Sequence, residues 1–170
     1  METYREPIGY HLVKALDNSG DLVIQLKGLP KLPYRRLILK IGLDSLTNHK
    51  AGGQGALDPG NGMYWSWSGE YKFMVMEGNF QYPDTSGAFL FHIAGDACFR
   101  SIPVSLTDSS GNPRSFSSEI TIDAQLPALF GAPHPVDFRR MNNVMSVEAG
   151  ALKIADNYTY SGFFRLAGMK

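Results

Sequence analysis

The chain is poor in the features that mark many catalytic and electrostatic functions. Its 170 residues include one cysteine, Cys98, so no internal disulfide and no paired-cysteine zinc or redox motif can form. That thiol is expected to be buried as a small apolar side chain. Neither sign of charge prevails, because sixteen Lys and Arg balance sixteen Asp and Glu without a charge run. This leaves no electrostatic footprint for nucleic acid or an anionic membrane surface. No apolar stretch approaches the length of a transmembrane segment, and the N terminus lacks the basic-then-apolar order of a secretion signal. There is no HExxH zinc motif, no nucleophile elbow and no phosphate-cradling glycine loop before a helix, so hydrolase and nucleotide-binding readings have no support and a non-enzymatic role is expected.

What is present is a series of short alternating segments separated by turn residues, in a chain with 18 glycines and 10 prolines. Residues 10–16 and 22–26 flank the polar turn 17–21 and read as a hairpin. Residues 34–43 place Leu37, Leu39 and Ile41 on one face of a strand. Residues 71–77 alternate and residues 88–93 are almost continuously apolar, which predicts two central strands. Residues 98–106 and 118–124, joined through the turn 108–113, read as a second hairpin. Towards the C terminus, residues 136–143 and 147–157 carry helical patterns, the latter weakened by Gly150. The 44% hydrophobic content suffices for one core, so the expectation is a single all-β domain over residues 1–170, an antiparallel β-sandwich with a short helical segment near the C terminus.

The densest chemistry lies in residues 41–78. The glycine-rich loop ending in Asp58-Pro59-Gly60-Asn61-Gly62 is shaped by turn-forming residues and delivers Met63-Tyr64-Trp65-Ser66-Trp67 to the start of a strand. Asp44 and Asp58 read as loop pins, and Asn61 serves the Asn-Gly turn; a carboxylate cage with EF-hand spacing is absent. Methionine sulfur and imidazole are ligands that copper favours, and His92, set between Phe91 and Ile93 on an apolar strand, is the foremost ligand candidate. A satisfied structural histidine is the competing reading of the same residue. His134, between Pro133 and Pro135, is a further candidate, with His49 and His11 of similar rank. Tyr64, Trp65 and Trp67 together also make a stacking platform for a glycan or a protein loop.

Ile41-Gly42-Leu43-Asp44-Ser45, Asn48, Gly55-Ala56-Leu57-Asp58-Pro59, Asn61 to Trp67, Gly69, Tyr71, Glu77-Gly78 and Phe91-His92-Ile93 occur in an order that resembles the MbnP-like family of copper-associated proteins, related to MopE and CorA of methanotrophs. The resemblance is dense over residues 34–106, with Ile154-Ala155-Asp156-Asn157 and Phe164 matching the closing segment. It implies an exported copper-binding or copper-carrier protein of the periplasm or cell surface. It further implies a site that includes a tryptophan, Trp65 by preference, oxidised to kynurenine by a di-haem peroxidase-like partner. Family members begin with a signal and additional strands ahead of the segment matching residues 9–13, so the present N terminus is expected to lack them, leaving an exposed sheet edge. No histidine stands within residues 63–67, where methanotroph relatives have one nearby. Met63, Met74 or Met76 would have to replace that imidazole.

Overall fold

The structure, a computed structural model, describes residues 9–15, 25, 30, 32–114, 119–145, 149–160 and 162–169. Among these residues eight strands run β1 Arg36–Ile41, β2 Tyr64–Trp65, β3 Glu70–Gln81, β4 Ser86–Ala94, β5 Arg100–Ser105, β6 Ile120–Ala124, β7 Asn143–Met145 and β8 Phe164–Met169, with a single-turn helix α1 at Ser45–Asn48 and a longer helix α2 at Ala149–Tyr160. They form an all-β architecture of three sheets, ordered β1-β5, β2-β3-β4-β7 and β6-β8. All pairings are antiparallel except that of β7 with β4, which is parallel. No helix among the described residues is long and apolar enough to cross a membrane.

The long β3–β4 hairpin forms the centre. Its register sets Gly78 against Phe89 and Phe80 against Gly87, so each ring lies over a glycine with no room for a Cβ: one built at Gly78 would come within 2.8 Å of Phe89. The ladder shifts between Lys72 and Met74. At this bulge the Phe73 ring lies against Gly42, whose φ of +96° and position 2.3 Å from that ring, measured from a built Cβ, require glycine.

One face of the hairpin is the core face. Phe91 and Ile93 are fully buried there, with Met74, Met76 and Phe89 packed against the same cluster. Helix α2 covers it with Ala151, Ile154, Ala155 and Tyr158, all at 0% exposure and on one face of the helix. Complete burial of a large apolar side chain contributes about 1.5–3 kcal/mol. Gly150 lets the helix approach β7, since a Cβ there would stand 3.0 Å from Val144.

Several expectations change. Among the described residues, 98–106 and 119–124 do not pair with each other as expected of 98–106 and 118–124: β5 joins β1, matching Leu39 to Ile102 and Leu37 to Val104, and β6 joins β8. The intervening turn is closed within itself, by the Asp108 carboxylate accepting from the Ser110 and Asn112 amides and by an isolated Thr107–Pro113 bridge, and proline supplies no ladder donor. Residues 136–143 make a turn followed by β7, not a helix. Asp137 accepts from the Arg139 amide and guanidinium, while the Phe138 ring stacks on Phe91 at 5.9 Å and 8°, so tertiary packing overrides helical propensity. Of the first expected hairpin, residues 10–15 are described without strand; its turn and nearly all of its second strand lie outside the described residues.

Candidate metal centre

Strand alternation sends Phe91 and Ile93 to the core and the His92 imidazole to the opposite face of the sheet. Its neighbours in register are Val75 on β3 and Met145 on β7. From β3, Glu77 reaches the ring, with Oε1 2.8 Å from His92 Nε2. An ionised carboxylate can only accept, which assigns the proton to Nε2 and leaves Nδ1 of the neutral ring as a lone pair. That Nδ1 is buried and has no hydrogen-bond partner among the described residues. A buried polar atom left unpaired costs about 1–3 kcal/mol. A carboxylate holding one ring nitrogen while the other stays free is also how proteins orient a ligating histidine.

Trp65 comes to the same face through the two-residue strand β2, where it lies opposite Glu70. It is only 8% exposed, and its ring centroid is 6.0 Å from that of His92. Lys72 Nζ stands 5.7 Å from the Trp65 ring, and Trp67 leans on it at 5.2 Å while remaining 70% exposed. Tyr64 belongs to the other side, against Tyr71 at 4.9 Å, so a platform of all three aromatic residues does not form. Met63 accepts the Lys72 amide through its carbonyl at 2.6 Å; this places it opposite Lys72, on the side of the ribbon shared by Trp65. Met74 and Met76 pack against the core cluster. The sulfur nearest to His92 by register is that of Met145, which sequence reasoning missed because β7 is three residues long and joins β4 from a distant part of the chain.

The other candidates have structural partners. His134 lies on the helix side, with Nε2 3.5 Å from Asp156 Oδ2 and its backbone tied at both N–H and C=O to the buried side chain of Asn157. The structure does not bring it together with His92. His49 Nε2 is 3.2 Å from Asp96 Oδ2. Asp44 caps α1 by accepting the Thr47 amide, a bond that holds its carboxyl below the usual aspartate range. Asp58 accepts the Gly60 amide and Asn61 donates to the Gly55 carbonyl, closing two short 3-10 turns over Gly55–Leu57 and Pro59–Asn61. Cys98 is buried in the core, where desolvation pushes its thiol up to about 11, so it offers no thiolate near neutral pH. Among the described residues no three of His, Cys, Asp and Glu converge as a metal-holding group. A metal at this face would meet the His92 imidazole beside Glu77 and Trp65; imidazole and thioether donors are of the kind copper favours, and carboxylate cages the kind that calcium and magnesium favour.

Compared with known families, the chain matches MbnP over residues 1–146 and belongs to that family. No curated protein and no solved structure matches it.

Proposed function

We propose that this member of the MbnP family is an exported, non-enzymatic protein that binds or carries copper at His92. The observation that carries the reading is the buried, unpartnered Nδ1 of a histidine whose Nε2 is engaged by Glu77. His92 would hold the ion, with Trp65 and Met63 as its neighbours on that face, and Glu77 would keep the ring oriented. Copper is the cargo, and the chain's contribution is a preset imidazole lone pair in a partly dry setting. The contact between Trp65 and His92 supports Trp65 over Trp67 as the residue that a di-haem peroxidase-like partner oxidises to kynurenine. That chemistry, and the export that the family resemblance implies, support a location in the periplasm or at the cell surface.

Metal analysis and intact mass on protein from its native host test this reading. Wild type is expected to retain copper and to carry the kynurenine mass change on the peptide containing Trp65. His92→Ala is expected to lose the copper, and equal copper in both proteins would contradict the assignment. The exposed Trp67, tilted against Trp65, favours a second reading, a surface recognition module. If wild type holds no copper and a glycan or protein quenches its tryptophan emission, that second reading replaces the first.

A further inference from the structure

We infer that the free edge of β1 is a docking edge for an extended acidic segment of a partner protein, which adds to the β1-β5 ribbon as a further strand. The inference concerns a different sheet from that of His92 and stands apart from the copper reading. The Leu106 amide donates to the Arg35 carbonyl. In the register of the ribbon this turns the N–H and C=O of Leu37, Leu39 and Ile41 towards β5, and those of Arg36, Ile38 and Lys40 away from it. The outward groups of these last residues have no backbone partner among the described residues. The far edge of β5 does not offer the same, because the backbone nitrogen of Pro103, opposite Ile38, faces outward there and carries no hydrogen.

Side chains choose the occupant. Arg36, Ile38 and Lys40 share the exposed face of β1, against the uncharged Ser105, Pro103 and Ser101 of β5. Lys40 Nζ stands 5.6 Å from the Phe99 ring, and neither cation has an ion-pair partner among the described residues. A second copy pairing antiparallel about Ile38 would set Arg36 against the partner copy's Lys40, and like charges directly opposite each other are destabilising. A strand with an apolar residue midway between two acidic ones, at alternate positions, instead places carboxylates against Arg36 and Lys40. Its apolar side chain then lies beside Ile38, which is 48% exposed. In strand addition main-chain bonds give the affinity and alternate side chains the specificity.

The test is fluorescence anisotropy of the whole chain against a labelled Thr-Glu-Thr-Val-Thr-Glu-Thr peptide, its counterpart with lysine in place of both glutamates, and the glutamate peptide N-methylated along its backbone. Amide hydrogen exchange is followed at Ile38. The glutamate peptide is expected to bind saturably and about tenfold or more tighter than the lysine peptide, and Arg36→Glu combined with Lys40→Glu should reverse that preference. Ile38→Pro removes one outward donor without touching the β5 ladder and should weaken binding about tenfold. N-methylation removes the same bonds from the other side, so it gives the answer even where Ile38→Pro unfolds. The Ile38 amide should exchange freely in the free chain and slow in the complex. No saturable binding of the glutamate peptide, equal affinity for the lysine peptide, or undiminished binding after N-methylation overturns the inference. So does an Ile38 amide already protected in the free chain, which would mean that the chain itself or a second copy covers the edge; sedimentation velocity tells those two apart.

Discussion

Among single residues, Asn48 and His92 are opposite cases of a polar side chain inside a β-fold. Asn48, fully buried, donates to Asp96 at 2.8 Å and accepts the Tyr71 amide at 2.9 Å, joining α1 to β3. His92 has one nitrogen satisfied and one orphaned. Asn48→Ala should therefore cost about 1–3 kcal/mol by leaving the Tyr71 N–H unpaired. His92→Leu removes the orphan and loses only a bond to the half-exposed Glu77, so metal-free stability should be unchanged or up to about 1 kcal/mol higher. Urea unfolding of both variants checks this; a His92→Leu loss as large as that of Asn48→Ala would make the histidine structural. His92 was legible in the sequence because Phe91 and Ile93 announce a buried strand around it. The role of Asn48 was not, since its partners lie 23 and 48 residues away, and no local pattern encodes them.

At the scale of elements, strands β3 and β4 were legible because their patterns are strong, whereas the partners of β5 and β6 were not. A turn signal such as that of residues 108–113 shows that the chain reverses, but the choice of partner depends on which distant inward faces match. Helix α1 shows how a short element is held without a length that would stabilise it alone. Asp44 caps it, and Asp96 anchors it by accepting from Ser45, Asn48 and His49. The Ser45 hydroxyl first, then the Asn48 amide, hold the Asp96 carboxyl below its ordinary value of 3.8. A carboxylate lowered in the folded state contributes stability in full above its unfolded value and loses it as pH falls through the folded one. Wild-type urea midpoints should accordingly fall as pH drops below about 4. Asp96→Asn should be less stable than wild type at pH about 6 and show a shallower acid slope. Parallel pH curves for the two proteins would remove Asp96 from the clamp.

Taken whole, the molecule separates two tasks by the two faces of one sheet. The face with Phe91, Ile93 and the covering helix α2 supplies the core, while the opposite face carries His92, Glu77, Trp65 and Met145. The all-β class and the single C-terminal helix follow from local pattern, but the grouping of this second face needs β2, β3, β4 and β7 in register. Two of those strands are only two or three residues long, too short to show a period. Equilibrium copper titration of the matured protein and its histidine variants tests the account most directly. His92→Ala should abolish high-affinity binding, while His49→Ala and His134→Ala, whose rings pair with Asp96 and Asp156, should stay within about twofold of wild type. Wild-type affinity in His92→Ala, or a loss that instead follows His49 or His134, would contradict it.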